Sequence, residues 1–132
     1  PMAILDKRRS GNDDRAQVLN VIGDVGDRTA ILFDDEVSTG GSILSAADAL
    51  KKAGARRVLA AVTHPVLCGG AIERIRSSEL EELIVTNTLP IPAEAAEARI
   101  KILSVGTLLA KAIARIYRGD SLNELFTESA GL

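Results

Sequence analysis

The stretch "LFDDEVSTGGSILSAADAL", residues 32–50, decides how this chain folds. It closes the β-favouring apolar run "TAILF" on two adjacent acids, Asp34 and Asp35, passes through "EVSTGGS" and enters a new pattern. In that pattern Ile43, Ala46, Ala47 and Leu50 recur at helical spacing. A strand, a tight loop and a helix N-terminus follow one another with no linker between them. An apolar run of this kind is at home in a parallel sheet covered by helices. The acids then stand at the carboxyl end of a strand, where open α/β sheets bind their ligands.

The loop carries the chemistry of an anion cradle. Gly40 and Gly41 permit backbone conformations that a Cβ forbids and let a ligand come close to the main chain. Thr39 and Ser42 bring hydroxyl groups, and Ser42 is placed to cap the helix. Unpaired N–H groups at the helix start, with the helix dipole behind them, attract a phosphate. Asp34 and Asp35 repel one, yet accept hydrogen bonds from sugar hydroxyls, directly or through a hydrated metal ion. A ligand with a phosphate at one end and a diol at the other satisfies both halves, and ribose 5-phosphate is such a ligand. The loop is neither a Walker A sequence nor a dinucleotide G-x-G-x-x-G.

Composition narrows the field. The chain has 132 residues, enough for one domain with one core, and a formal net charge of −2. That balance offers nothing to nucleic acid despite the Lys7-Arg8-Arg9 cluster, and two Phe, one Tyr and no Trp leave no stacking surface. The core must therefore be Ala, Val, Ile and Leu. A lone cysteine, Cys68, excludes an intrachain disulfide and a cysteine-based zinc site, and reads as a small buried filler. No apolar run approaches the roughly 20 residues of a membrane helix and no signal-peptide pattern occurs, so a cytoplasmic chain without membrane contact is expected.

Periodicity places strands at about 2–5, 17–22, 29–34, 57–63, 83–87 and 100–103, and helices near 42–53, 69–76, 105–118 and 121–126. The alternation predicts an α/β fold with a mostly parallel sheet flanked by helices. Residues 17–33 can form a hairpin turning at "GDVGDR", while "DRAQVLNVI" also suits a helix. Gly54 reads as the stop of the first helix. "LDKRRSGNDDR", residues 5–15, sets Lys7, Arg8 and Arg9 beyond a strand end on a loop of Gly, Asn and Asp. This loop is expected to leave the same sheet edge as the DD-STGGS segment, where cations on a mobile arm can close over phosphates.

"VTHPVLCGGAIERI", residues 62–75, leaves the next strand through His64-Pro65 and enters a helix at Gly69-Gly70, whose N–H groups can bind or shape an anion site. "TNTLPIP" is an exit loop with no catalytic role, "SVGTLLAKAI" opens a helix on a cap, and "SLNELF" holds a capping box from Ser121 to Glu124.

"DDEVSTGGS" resembles the phosphoribosyl diphosphate motif of type I phosphoribosyltransferases. The ordered set "DKRR", "NVIGDVGDRTAILFDDEVSTGGS", "THPVLCGGAIERI", "VTNTLPIP", "SVGTLLAKAI" and "SLNELF", spanning about residues 3–126, is similar to the C-terminal part of the ribose-phosphate diphosphokinase family. The resemblance implies a type I phosphoribosyltransferase-like domain over residues 1–132 that lacks its first strand and helix. It implies transfer of diphosphate from MgATP to the 1-hydroxyl of ribose 5-phosphate, giving phosphoribosyl diphosphate and AMP, by a protein that is a homo-oligomer at full length. The fragment alone is expected to be inactive.

Lys7 and Arg9 match the catalytic flexible-loop pair of that family, with Arg9 also reaching ribose 5-phosphate. Asp34 and Asp35 match the acids facing the ribose hydroxyls and, indirectly, Mg2+. Ser38, Thr39, Gly40, Gly41 and Ser42 match the 5-phosphate loop. Two positions depart from the family pattern: Ser38 stands where many members carry Asp, and Ser42 where many carry Thr. Ser42 keeps its hydroxyl; Ser38 loses a carboxylate but keeps a backbone N–H for a phosphate. The alternatives are a non-catalytic phosphoribosyl-binding regulatory subunit and a phosphoribosyltransferase. Retention of Lys7 and Arg9 weighs against the first, and the lack of a base-contacting hood against the second.

Overall fold

The computed structural model describes residues 2–8 and 17–127. The apolar run of the opening stretch becomes strand β3, Thr29–Val37, longer than expected because it carries both acids and Glu36 before it ends. It forms one edge of a four-stranded parallel sheet in the order β3-β4-β5-β6, where β4 is Arg57–Pro65, β5 is Glu82–Thr86 and β6 is Ile100–Leu103. Asp34 lies in register with Val62, and Glu36 with His64. Helix α1, Gly41–Lys52, joins β3 to β4, and α2, Ala71–Arg76, joins β4 to β5. The expected α/β architecture is the one observed.

One face of the sheet is closed by these helices. Val58, Ala60, Leu83 and Val85 point into it together with Ile43, Ala47 and Leu50 of α1 and Ala71 and Ile75 of α2, all at most 4% exposed. Alanines at the contacts let the helices come close, so aliphatic side chains fill the space without an aromatic ring. The three aromatic side chains, Phe33, Phe126 and Tyr117, are all exposed. On the opposite face Ile31 and Phe33 of β3 stay open, and helix α3, Gly106–Arg118, buries no residue.

Helix ends follow local chemistry. Gly40 is the residue before α1 and adopts a left-handed φ of 82°. Ser42 lies inside the first turn and no side chain caps the helix, contrary to the expectation for Ser42, because the glycine backbone itself makes the bend. Gly54, at φ 93°, ends α1 as expected, and its N–H bonds the Lys51 carbonyl at 3.0 Å. Lys51 and Lys52 sit favourably at the negative end of the helix dipole. At the start of β4, Arg57 holds Glu81 through two hydrogen bonds of 2.7 and 2.5 Å, and this pairing keeps the Glu81 carboxyl below its ordinary value.

The hairpin differs from both readings of residues 17–33. Strand β2, Gln17–Ile22, turns back onto β1, Ile4–Arg8, as a separate antiparallel pair with a register irregularity between Asp6 and Lys7. The "GDVGDR" segment instead crosses over: Asp27 N donates to the Gly54 carbonyl and Arg56 N to that of Arg28, which sets β3 beside β4. Lys7 and Arg8 thus belong to a strand, and this strand is outside the parallel sheet. Ala3, Leu5 and Val21 of the hairpin pack against the edge of the common core.

A 3-10 helix over Ala93–Ala98, absent from the sequence expectation, leads to Arg99. Arg99 has a left-handed φ of 58°, and its guanidinium reaches the carbonyls of Ile75, Arg76 and Ser78 at 3.4, 2.8 and 3.2 Å. One side chain thereby satisfies the open carbonyl end of α2. Helix α4, Asn123–Thr127, is tied to α3 by a 2.5 Å bond from Arg115 to Glu124, the acid expected in a capping box, while Ser121 Oγ accepts from Asn123 N. The Arg99 geometry separates two substitutions. Arg99→Ala loses the guanidinium and keeps the strained backbone, whereas Arg99→Gly loses the guanidinium and relieves the strain. Denaturant titration should find both less stable than the parent, with Arg99→Ala the worse by about 1 kcal/mol.

Candidate functional site

At the carboxyl end of β3 the chain makes a concavity of about 270 Å3 lined wholly by the continuous segment Asp34–Ile43. Val37 within the segment and Ile43 at its end are buried, at 2% and 4% exposure, while Asp35, Glu36, Thr39, Gly41 and Ser42 are exposed. Within it, Asp34 Oδ1 accepts from Asp35 N at 3.1 Å and Asp35 Oδ1 accepts from Glu36 N at 3.0 Å. Each acid therefore spends one oxygen on the next amide, and among the described residues the other oxygen accepts no hydrogen bond.

Gly40 carries the bend from the acids into α1. Its carbonyl already accepts from Leu44 N at 3.0 Å, which makes Gly41, Ser42 and Ile43 the donors of the first turn without an intrahelical acceptor. No acidic side chain occupies that first turn, so the positive end of the helix dipole is not neutralised by the helix itself. The expected residues Asp34, Asp35, Ser38, Thr39, Gly40, Gly41 and Ser42 are thus brought together in one place.

A neighbouring loop, between β4 and α2, lies along the turn. Leu67 N donates to the Val37 carbonyl at 3.0 Å and Cys68 N to the Ser38 carbonyl at 3.1 Å. Cys68 is exposed, with its Sγ 3.2 Å from Ser38 Oγ, and is not the buried filler that its residue type suggested. Burial statistics for cysteine describe cores, and this one is placed on a loop after the strand has ended. Its proximity to Ser38 carries no signal in a single sequence. His64, near the end of β4, meets Thr88 Oγ1 through its Nδ1 at 2.9 Å.

Asn87 was also missed. Its Oδ1 accepts from Val105 N at 2.9 Å and its Nδ2 donates to Ser104 Oγ at 3.3 Å, so it fixes the start of α3 from the end of β5. An amide able to donate and accept, at a strand end, was the available signal.

A second, larger cleft of about 730 Å3 runs between Met2–Leu5, Arg28–Asp34 and α1, and meets the first at Asp34 and Ser42. The start of β1 therefore borders the same region. Lys7 lies further along β1, in register with Val18. Its side chain and all of Arg9 are outside the described part of the structure. Among the described residues no group of three or more His, Cys, Asp or Glu side chains could hold a metal ion. Two strand-end carboxylates fit only an ion that keeps most of its waters or takes its other ligands from a substrate. Among the same residues no helix is long and apolar enough to cross a membrane.

Residues 11–127 match the phosphoribosyl synthetase-associated domain family. The chain is 50% identical over 129 residues to a ribose-phosphate pyrophosphokinase of Burkholderia pseudomallei, covering 97% of this chain and 40% of that protein. It is 48% identical over 127 residues to the ribose-phosphate pyrophosphokinase of Bacillus subtilis, covering 96% and 40%. Among solved structures it is similar to phosphoribosylpyrophosphate synthetase from Mycobacterium smegmatis. The TM-score is 0.78 with 38% identity, over 90% of this chain and 37% of that one. The chain spans about 40% of the length of the curated relatives it matches. With a match over residues 11–127 and a shared fold, the chain belongs to the phosphoribosyl synthetase-associated domain family.

Proposed function

We propose that this chain is the ribose 5-phosphate-binding part of a ribose-phosphate pyrophosphokinase, with ATP as the second substrate. The observation that carries the reading is the Asp34–Ile43 concavity, in which two strand-end acids lead without interruption into an unneutralised helix N-terminus. In this reading the 5-phosphate rests on the N–H groups of Gly41, Ser42 and Ile43 and the hydroxyls of Ser38, Thr39 and Ser42. The free oxygens of Asp34 and Asp35 accept from the ribose hydroxyls. The sugar is then fixed at both ends and its 1-hydroxyl is presented at one point, which is where positioning lowers the barrier.

The 1-oxygen attacks the β-phosphorus of MgATP, the bond from that phosphorus to the α-phosphate oxygen breaks, AMP leaves and the hydroxyl proton passes to solvent. No covalent intermediate with the protein is required. Lys7, on β1, and Arg9 would neutralise charge that grows on the transferring group. Asp34 and Asp35 would hold Mg2+ through water or substrate oxygens, and the ion's contribution when bound is neutralisation of the diphosphate. The same reading gives a cytoplasmic, homo-oligomeric parent protein with no nucleic-acid or membrane partner. In this reading the chain belongs to the C-terminal phosphoribosyltransferase-like domain of that protein.

Three measurements test this. Titration calorimetry of the chain with ribose 5-phosphate should give binding that Gly41→Val weakens at least tenfold. Gly41 lines the concavity, is free of the left-handed strain of Gly40, and has room for a Cβ, whose nearest neighbour is Thr39 Oγ1 at 3.8 Å. Unchanged affinity in that variant would place the phosphate elsewhere.

In a full-length protein carrying this chain, the pair Asp34→Asn and Asp35→Asn should lose most turnover with little change in melting temperature, since Asp35 is exposed and Asp34 only half-buried. Wild-type-like turnover would remove the diol and metal roles.

Lys7→Ala in the same protein should lower kcat by about ten- to a thousandfold, about 1.4–4 kcal/mol of transition-state stabilisation, with KM for ribose 5-phosphate nearly unchanged. Unchanged turnover would remove Lys7 from the catalytic machinery; absence of turnover in the parent would instead favour a regulatory, non-catalytic subunit.

A further inference from the structure

We infer that the loop between β4 and α2 is the template that shapes the 38–42 turn, and that Cys68 is a positioning residue whose thiol orients the Ser38 hydroxyl towards the bound phosphate. The inference rests on reading that turn as the 5-phosphate site. The turn has little internal bonding of its own. Beyond the Leu44–Gly40 bond that starts α1, its shape is imposed from the side, by Leu67 N on the Val37 carbonyl, Cys68 N on the Ser38 carbonyl, and the Sγ to Oγ contact of 3.2 Å. The Gly69 backbone, at a left-handed φ of 56°, passes beside Thr39, for a Cβ there would stand 3.7 Å from Thr39 Cγ2.

The template is itself held in a shape it would not take alone. Leu67 has a left-handed φ of 46°, unfavourable for a leucine, while its side chain is 8% exposed. Such strain persists where the surroundings over-determine the backbone. Here they do: Pro65 is buried below, Ala71 N bonds the Cys68 carbonyl at 3.1 Å, and Arg74 of α2 reaches back to the Gly69 carbonyl at 2.7 Å. The result of that conformation is that the amide and the thiol of residue 68 both face Ser38.

The direction of the thiol–hydroxyl bond matters because Ser38 has one proton. If Ser38 donates to the sulfur, that proton is withheld from the ligand. If Cys68 donates to Ser38 Oγ, the serine proton is aimed away from Cys68 and is available to a phosphate oxygen, which only accepts. A bound phosphate selects the second arrangement, a relay from S–H to O–H to phosphate in which each bond strengthens the next. Serine at position 68 can do the same; alanine and valine cannot.

The chain and its variants Cys68→Ala, Cys68→Val, Cys68→Ser, Ser38→Ala and the double variant Cys68→Ala with Ser38→Ala are titrated calorimetrically with ribose 5-phosphate, and each is melted. Loss of one such hydrogen bond predicts about three- to tenfold weaker binding for the alanine and the valine variants, with melting temperatures close to the parent. Serine should restore affinity to within about twofold. In the Ser38→Ala background the cysteine substitution should add nothing, because its effect passes through that hydroxyl. Parental affinity in both Cys68→Ala and Cys68→Val, no rescue by serine, or additive losses in the double variant would each overturn the positioning role. Valine keeps the bulk of the thiol, so a loss of shape in the alanine variant alone is recognised as such. If Gly41→Val abolishes binding while the Cys68 variants bind normally, the phosphate reading stands and only this inference falls. If Gly41→Val binds normally too, the site reading falls with it.

Discussion

The structure turns on the pinning of one turn between two buried side chains. Val37 is the last residue of β3 and Ile43 lies in the first turn of α1, and both are sunk in the same aliphatic layer. The chain between them is too short to wander: Thr39, Gly41 and Ser42 stay exposed around a buried Gly40, and a bend of that tightness needs the left-handed backbone that Gly40 supplies. Once the turn is fixed, the first amides of α1 have no intrahelical carbonyl to meet and the helix dipole lies behind them. The chemistry proposed for the turn is thus a by-product of how the core is closed.

The core can hold the turn because its layers sit close together. Ala47 on α1, Ala60 on β4 and Ala71 on α2 are all at most 1% exposed, and each puts little more than a methyl group between the layers. Larger residues would push α1 off the sheet and carry the start of the helix away from the acids of β3. The scarcity of aromatic residues is consistent with this requirement. The few rings in the chain lie where no layer has to close over them.

Most of this was legible in the sequence, for reasons that can be named. The apolar run before Asp34 and the 3.6-residue spacing from Ile43 to Leu50 are local signals with one structural meaning each, so β3, α1 and the turn between them emerged in place. What failed was non-local or depended on context. The strand at residues 17–22 was identified, but whether it pairs with β1 or β3 is a question of register that its own residues do not answer. Ser42 was read as a cap because hydroxyl residues usually are, and the glycine before it took the position instead. Cys68 looked like core by residue type, and only the path of the β4–α2 loop puts it beside Ser38. Lys7 and Arg9 stood out by charge, position and resemblance, none of which says where a side chain ends.

The parallel sheet has a kinetic consequence for the site. Thr29 pairs with Arg57 and Leu83 with Ile100, so no two neighbouring strands of this sheet can meet before a long crossover has closed. The turn that begins α1 lies within the first of these crossovers and has no shape until β3 and β4 are side by side. A ligand seated there, as proposed, would sense the docking of the two strands as a whole. Its binding would be coupled to global folding by mass action, and would be read in the protection of β3 and β4 amides from hydrogen exchange.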